Sequence, residues 1–263
     1  DLSQPKIMGI LNLTPDSFYD GGKFKSIDSA LSQTEKMIRD GAFFIDLGAC
    51  SSRPGADEVS VEEEKKRLYP ILEKLIDRFP NTHFSIDTYR ASIAKGSLSR
   101  GASMINDISG GQFDPAMMET VGRFSAPYVL MHIQGQPKEM HKDPAYKNVV
   151  QEVLYYFSEK IQQAYSLGIN DVIIDPGFGF GKTLQHNYEL IKNLELFQTL
   201  DQPILVGVSR KSMIYKKLET TPDQALNGTT VLHTAAIIKG ANILRVHDIK
   251  EAKECIELLQ ALQ

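Results

Sequence analysis

The chain alternates short apolar segments with amphipathic ones, and it does so eight times. Strands that are apolar almost throughout are buried on both faces, as in parallel sheets that are covered by helices. Eight strand-then-helix units favour closure into a barrel. The sequence therefore predicts an α/β fold, a single (β/α)8 TIM barrel over residues 1–263. Its strands are predicted at residues 7–11, 43–47, 83–87, 103–106, 128–131, 172–174, 204–208 and 243–246.

Local signals mark where several helices begin and end. Ser60 and Glu63 have the spacing of a capping box, and Pro222 suits a first helical turn. Asp248 is expected to cap the last helix. Four glycines between a helix and the next strand are expected to act as helix C-caps: Gly41, Gly101, Gly168 and Gly240.

The connections between elements are unequal in length. Turns from a helix to the next strand take only a few residues, whereas four loops after strands are long. Long loops with Gly and Pro on one face of a barrel are where such folds place their sites. The active site is therefore predicted at the carboxyl ends of the strands, bordered by the loops at residues 12–27, 48–60, 132–145 and 209–221.

Composition excludes several classes of function. The formal charge is −4, from 29 Lys and Arg against 33 Asp and Glu, and no run of like charge favours nucleic acid or a membrane surface. The acidic run 62–64 precedes the basic run 65–67, which we interpret as a solvated helix face with internal ion pairs. Cys50 and Cys255 lack the spacing of a disulfide framework or a thiolate metal site. Without a secretory signal or a membrane-spanning segment, the default expectation is a cytoplasmic enzyme.

Polar residues cluster where the predicted strands end. A barrel core favours Val, Ile and Leu, so polar groups there need partners or a ligand. Because barrel sites draw residues from several strand ends, we interpret the set as one site. Its members are Asn12, Asp46, Asp87, Asn106, Asp107, His132, Asp175, Ser209, Arg210, Lys211, Arg245 and His247.

The segment DPGFGFGKT, at residues 175–183, has some features of a phosphate-binding loop. That loop needs a glycine five residues before its Gly-Lys-Thr, but here the position holds Pro176, which has no N–H. Asp175 is instead interpreted as a fixed carboxylate that accepts two hydrogen bonds from an amide–amidine edge, which Asn106 could share. Lys182 and Thr183 are interpreted as an ordinary approach to the next helix.

Basic residues follow the last two strands. Arg245 and His247 are two apart, face the same side, and precede the start of the last helix, which predicts an anion site. The alternative interpretation is that Arg245 pairs with a neighbouring Asp. Lys211 has several possible roles: it could donate to a ring carbonyl, hold an anion, form a Schiff base, or simply lie at the surface. Four other histidines lack the spacing of a metal site and are interpreted as core or surface residues: His83, His141, His186 and His233.

Seven blocks in this order closely resemble the dihydropteroate synthase family, and the resemblance spans essentially the whole chain. The blocks are MGILNLTPDSFYDGG, SSRPGA, SIDT, INDISGG, DPGFGFGK, GVSRKS and LRVHD. The resemblance implies a transferase of folate biosynthesis that joins 6-hydroxymethyl-7,8-dihydropterin pyrophosphate to 4-aminobenzoate and releases pyrophosphate, with Mg²⁺. It also implies a homodimer.

The family pattern assigns a role to individual residues. Catalysis is assigned to Asp87, Lys211 and Arg245. The pterin site comprises Asp87, Asn106, Ile108, Met131, Asp175, Phe180, Lys211 and Arg245. The pyrophosphate site comprises Asn12, Ser52, Arg53, Arg245 and His247, with Asn12 also the ligand of Mg²⁺. The aminobenzoate site comprises Phe18, Ser52, Pro54, Lys211 and Ser212.

The chain departs from the family pattern in its second loop. Ser52 stands where the family commonly has threonine, which removes a methyl contact of about 1 kcal/mol, and residues 49–51 differ from the usual Glu-Ser pattern. Sulfonamides are expected inhibitors, but this departure puts susceptibility in doubt.

Three alternative functions remain open. A pterin-dependent methyltransferase domain would not need the SRPG and SRKS loops. A non-catalytic pterin-binding barrel would be expected to have lost Asn12, Asp87 or Arg245, which are all present. A Schiff-base aldolase would use Lys211 as its nucleophile.

Overall fold

The computed structural model describes residues 2–13, 23–50, 59–136, 140 and 144–262. The strands are β1 (Lys6–Asn12), β2 (Phe44–Gly48), β3 (His83–Asp87), β4 (Met104–Asp107), β5 (Tyr128–Met131), β6 (Val172–Asp175), β7 (Leu205–Val206) and β8 (Ile243–Val246). The helices are α1 (Lys23–Asp40), α2 (Val61–Arg78), α3 (Ala91–Leu98), α4 (Met117–Arg123), α5 (Val149–Ser166), α6 (Leu184–Lys192), α7 (Ser212–Tyr215), α8 (Leu226–Ile238) and α9 (Ile249–Gln260). Short 3₁₀ helices lie at Leu194–Leu200 and Pro222–Gln224.

The eight strands form one parallel sheet in the order β6-β5-β4-β3-β2-β1-β8-β7. The two edge strands meet through a bridge between Ile174 and Ile204, where the N–H of Ile174 donates to the carbonyl of Pro203 at 2.9 Å. The predicted TIM barrel is confirmed. β7 is shorter than predicted because the chain turns after Val208, whose carbonyl accepts the N–H of Lys211 at 3.1 Å.

The barrel interior is built in layers, and this layering positions the site. Its lower layer is a separate apolar cluster that takes one inward residue from each of seven strands: Met8, Phe44, Met104, Val129, Ile173, Leu205 and Ile243. Side chains on a strand alternate between its two faces, so the residue two positions later also points inward. Asp46, Asn106, Asp175 and Arg245 occupy such positions on four of these strands. The polar site therefore lies on top of the apolar layer, at the carboxyl ends.

The predicted helix ends are confirmed in part. Ser60 accepts the N–H of Glu63 at 3.2 Å, but the carboxylate of Glu63 binds Arg67 at 2.8 Å instead of completing a capping box. Pro222 begins a 3₁₀ helix, and the four predicted helix-ending glycines all have positive φ. The prediction that Asp248 caps the last helix is wrong, because its side chain makes no cap hydrogen bond and pairs with Arg210.

The charged run at residues 62–67 was predicted to be a solvated face, and this holds for two of its three acids. Glu62 pairs with Lys65 at 2.7 Å, and Glu63 pairs with Arg67. Glu64 contradicts the prediction, because it is only 1% exposed and binds Arg90 at 2.6 Å. The amphipathic helix α2 turns this one acid toward the protein interior.

No helix within the described ranges is both long and apolar enough to cross a membrane.

Candidate active site

An ion cluster occupies the centre of the barrel mouth. Nε of Arg245 donates to Oδ2 of Asp46 at 2.7 Å, and its NH2 group donates to Oδ2 of Asp87 at 2.9 Å. Nδ2 of Asn106 donates to the same oxygen of Asp46 at 2.8 Å. Asp46 is fully buried, and Arg245 is its counterion in the interior. The sequence pattern predicts no separate role for Asp46, and in the structure it orients Arg245 and Asn106.

Asp87 lies beside the end of β1. A Cβ added at Gly48 would be 3.6 Å from Oδ2 of Asp87 and 3.7 Å from Oδ1 of Asn12, so the two side chains border one small space. Burial raises the pKa of Asp87 to about 7; Arg245 opposes this rise and Asp46 reinforces it. Asp87 therefore combines a fixed position with a charge that changes near neutral pH.

Asp175 is held by the turn that follows β6. Its Oδ1 accepts the N–H of Gly177 at 2.8 Å, and its carbonyl accepts the N–H of His132 at 3.0 Å. Burial raises the pKa of Asp175, while Lys211 and the hydrogen bond from Gly177 lower it. Gly207 leaves room in front of this carboxylate, because an added Cβ there would lie 4.0 Å from Oδ2 of Asp175.

Lys211 points into the same space. Its Nζ donates to the carbonyl of Phe178 at 2.7 Å, lies 4.8 Å from the centre of the Phe180 ring, and would be 3.7 Å from a Cβ at Gly207. Burial lowers the pKa of Lys211 to about 8, although Asp175 favours the charged form. Of the roles left open for Lys211, a surface position is therefore wrong.

An apolar cluster, separate from the main core, stands beside these polar groups. Its buried members are Ile108, Met131, Ile133 and Met140, and the partly buried rings of Tyr89, Phe113 and Phe180 pack against them. The three residues predicted as apolar walls of the pterin site all belong to it. The structure thus places an apolar surface close to both polar groups, since Ile108 follows Asn106 on the chain and Met131 pairs with Asp175 in the sheet.

The turn after β7 joins the last strand and the last helix. Oγ of Ser209 lies 3.0 Å from Nδ1 of His247 and accepts the backbone N–H of His247 at 3.2 Å. Arg210 has a φ of +53° and binds both carboxylate oxygens of Asp248, at 2.8 and 2.9 Å. At this left-handed residue the chain turns, and three consecutive side chains reach different places. Ser209 contacts His247, Arg210 binds Asp248, and Lys211 points into the barrel mouth. Ser212 is the first residue of α7.

Other predicted polar residues have structural partners. Asp107 accepts hydrogen bonds from the backbone of Ser109 and Gly111 and from the hydroxyl of Tyr128, at 2.8, 2.7 and 2.6 Å, which fixes the turn after β4. His186 completes a capping box with Thr183. The interpretation of Lys182 as an ordinary residue before the next helix is wrong, because its side chain is buried, with only 5% exposed.

The second loop contains predicted residues that the structure does not describe. Ser52, Arg53 and Pro54, like Phe18 in the first loop, lie outside the described ranges. The described end of the second loop is anchored, since Arg90 donates to the carbonyl of Val59 at 2.7 Å while it pairs with Glu64. Sequence reasoning missed this anchor, although Glu64 occupies an interior position of the amphipathic helix α2.

A metal ion would need ligands beyond the protein groups seen at this mouth. Within the described part of the chain, no group of three or more His, Cys, Asp or Glu side chains could hold a metal ion. Asn12 supplies one amide oxygen beside Asp87. Such a donor set fits a hard cation such as Mg²⁺, which takes one or two protein oxygens and completes its shell with water and substrate phosphates.

Comparison with known proteins gives a consistent result. The family model described as pterin binding enzyme matches residues 8–247. The dihydropteroate synthase of Haemophilus influenzae is 45% identical over 263 residues, which cover 99% of this chain and 95% of that protein. A crystal structure of the Yersinia pestis dihydropteroate synthase with a sulfonamide drug complex is 42% identical, with a TM-score of 0.93 and coverage of 100% of this chain and 95% of that one.

A third relative carries one of the expected substrates. The Xanthomonas albilineans dihydropteroate synthase, solved with 4-aminobenzoic acid, is 36% identical, with a TM-score of 0.92 over 100% of this chain and 94% of that one. The chain therefore belongs to the pterin-binding enzymes and, within that family, to the dihydropteroate synthases, which are transferases.

Proposed function

We propose that the strand-end residues described above divide the dihydropteroate synthase reaction among three subsites. The observation that carries this proposal is the convergence of Asp175, Lys211 and Arg245 around Gly207, beside an apolar surface. The carboxylate of Asp175 would accept hydrogen bonds from the amino-pyrimidine edge of the pterin. Asn106 would share that edge and Lys211 would donate to the ring carbonyl. Ile108, Met131 and Phe180 would cover the ring faces, with Arg245 flat against the ring.

The first chemical step would be departure of pyrophosphate from the methylene group of the pterin. The C–O bond breaks, its electron pair leaves with the pyrophosphate, and the remaining cation is delocalised into the ring. Asp87 would stabilise this developing charge. A carboxylate that Arg245 already holds at 2.9 Å needs little reorganisation when the charge appears, which is how fixed electrostatic groups lower a barrier.

The pyrophosphate would leave toward Asn12 at the end of β1 and the basic residues at the end of β8. Arg245 and His247 would bind its oxygens, together with Ser52 and Arg53 of the second loop. Asn12 would hold the Mg²⁺ that enters with the pyrophosphate. When bound, the ion would neutralise the negative charge of the leaving group.

The arylamine would then attack the methylene carbon to form the C–N bond, and its nitrogen would lose a proton to water. We propose that Phe18, Ser52 and Pro54 of the first two loops hold 4-aminobenzoate together with Lys211 and Ser212. A sulfonamide resembles this substrate and would compete for the same position. The hydroxyl of Ser52 would offer the same polar group as a threonine.

This division of roles has a test that does not depend on the second substrate. Purified protein with Mg²⁺ and the pterin pyrophosphate alone should release pyrophosphate slowly, because departure precedes attack. Asp87→Ala should reduce this release by about 100-fold or more, as expected when a preorganised charge is lost. Equal release rates in Asp87→Ala and the unchanged protein would rule out the role proposed for Asp87.

A pH profile tests the charge states that the mechanism requires. Activity needs ionised Asp87 and protonated Lys211, so kcat/KM should rise as the pH increases through about 7 and fall as it increases beyond about 8. Lys211→Arg keeps a cation that does not titrate in this range, so its residual activity should keep the rise and lose the fall. A fall above pH 8 that is unchanged in Lys211→Arg would exclude Lys211 as its source.

We also propose that residues 1–263 act as one catalytic domain that forms a homodimer in the cytoplasm. All eight strands belong to one sheet, and both cysteines are free thiols, as is usual in a reducing compartment. Val231 and Ile238 on α8 are 59% and 70% exposed and lie seven residues apart on one helix face, where a second copy could cover them.

The dimer has its own test. Val231→Glu combined with Ile238→Glu should convert the protein to a monomer in sedimentation velocity, because burying these charges at an interface is costly. Phe124→Glu, at another exposed apolar side chain, is the matched control and should leave the sedimentation coefficient unchanged. A monomer in the unchanged protein would refute the homodimer.

A further inference from the structure

A buried lysine lies behind the proposed pterin site. Lys182 precedes α6, yet its side chain is inside the protein. Its Nζ lies 3.0 Å from Nδ1 of His132 and donates to the carbonyls of His132 and Phe180, at 3.3 and 3.0 Å. His132 is buried directly after β5, and burial lowers its pKa well below the usual range, so the neutral ring accepts a hydrogen bond from the lysine. Lys182 thus joins the loop after β6 to the end of β5.

Two glycines allow the loop after β6 to come close to the segment that follows β5. Gly177 has a φ of +72°, and a Cβ at that position would overlap the carbonyl oxygen of His132. Gly181 has a φ of +60°, and a Cβ there would overlap the carbonyl oxygen of Gln134. The amine of Lys182 fills the space behind Gly177, since it would be 3.3 Å from the added Cβ.

One residue that Lys182 contacts, His132, also holds Asp175, and Gly177, which lies next to the amine, holds it too. His132 donates its backbone N–H to the carbonyl of Asp175, and Gly177 donates to the carboxylate. Phe180, whose carbonyl Lys182 binds, packs its ring against the apolar surface beside the site. One buried amine therefore supports both the carboxylate turn and the ring wall.

We propose that Lys182 is a positioning residue for the pterin pocket. Through His132 it holds Asp175, and through its own contact it holds Phe180, in the geometry that binds the ring. This inference rests on the assignment of Asp175 and Phe180 to the pterin in the proposed function. Hydrogen-bonding groups that are misplaced by a fraction of an ångström bind their partner much more weakly. Loss of this support should therefore weaken binding of the pterin more than binding of 4-aminobenzoate.

The test compares the two substrates in variants that fold. Lys182→Met keeps the length of the side chain and removes its hydrogen bonds. It should raise KM for the pterin pyrophosphate and Kd for 6-hydroxymethylpterin by about 10- to 100-fold. KM for 4-aminobenzoate should stay within about twofold. A general loss of structure would change both KM values, whereas loss of the positioning role should change only the KM for the pterin pyrophosphate.

Variants of His132 provide an independent path to the same answer. His132→Asn places an amide oxygen near the position of Nδ1 and should stay close to the unchanged protein, whereas His132→Leu should reproduce the effect of Lys182→Met even if the latter does not fold. Lys192→Met, at an exposed lysine on α6, is the matched control.

Asp175→Asn, measured in parallel, separates the two levels of the proposal. If Asp175→Asn loses the pterin while Lys182→Met and His132→Leu keep it within twofold, the positioning role is wrong and the proposed pocket stands. If Asp175→Asn itself keeps the pterin, the proposed pocket is wrong.

Discussion

Asp175→Asn should weaken binding of 6-hydroxymethylpterin by at least about 100-fold, a loss of about 3 kcal/mol, with the fold intact. The carboxylate presents two acceptors, whereas an amide presents one acceptor and one donor. If the amide keeps the hydrogen bond from Gly177 to its oxygen, its NH₂ group faces the donors of the ring. When two donors face each other in a buried site, neither has an acceptor, and the binding free energy lost is larger than that of one missing hydrogen bond.

Calorimetric titration with the pterin measures this effect directly. Asp171→Asn is the matched control, because Asp171 is exposed just before the same strand and the substitution makes the same chemical change. Its affinity should equal that of the unchanged protein. A pterin affinity within twofold of normal in Asp175→Asn would show that another residue reads the ring edge.

Arg245→Met should destabilise the protein by about 3–5 kcal/mol and reduce kcat/KM by about 1000-fold or more. The guanidinium is the cation that holds Asp46 and Asp87, and Asp46 has no exposed surface. Removing it leaves two buried carboxyl groups close together without their counterion. By comparison, Arg123→Met breaks an exposed pair with Glu119 and should cost less than about 1 kcal/mol.

The stability deficit of Arg245→Met should depend on pH with a definite sign. The folded pKa of Asp87 is raised above its unfolded value near 3.8, so the stability linked to protonation of Asp87 is present at acid pH and is lost as the pH rises through the folded pKa. Arg245 lowers that pKa, so its removal raises it further. The deficit should therefore be larger at pH 8 than at pH 5, where the carboxyl is protonated in both proteins.

Urea unfolding at the two pH values measures the deficit. Asp46→Asn in the Arg245→Met background should recover part of the lost stability, because one of the two uncompensated charges is gone. A deficit that is equal at pH 5 and pH 8, or a double variant no more stable than the single one, would show that the cluster is not held by charge.

The fold could be predicted because burial on both faces leaves a simple signal in the sequence. Most strands of the barrel are apolar over most of their length, and apolar residues lead even the shorter mixed segments, so the strands could be counted from the sequence. The site followed from the same signal, because polar residues such as Asp175 and Arg245 interrupt it at the carboxyl end of a strand. Alternation of side chains then places such residues inside the barrel, above the apolar layer.

The errors arose where long-range contacts override local pattern. Lys182 stands between glycine and threonine, a context typical of an exposed loop, and its burial depends on His132, fifty residues away. In the sequence Glu64 cannot be told from its exposed acidic neighbours, because its partner Arg90 is brought to it only by the fold. Asp248 has the spacing of a helix cap, but Arg210 offers a charged partner with two donors, which outweighs a single backbone N–H.

The most direct test of the central claim is product formation by the purified protein with Mg²⁺, the pterin pyrophosphate and 4-aminobenzoate. We predict that 7,8-dihydropteroate, identified by mass spectrometry, and pyrophosphate appear in equal amounts, and that product is lost when Asp175 is replaced by asparagine. Failure to form dihydropteroate under these conditions, or undiminished formation by the Asp175→Asn variant, would contradict this account of the site.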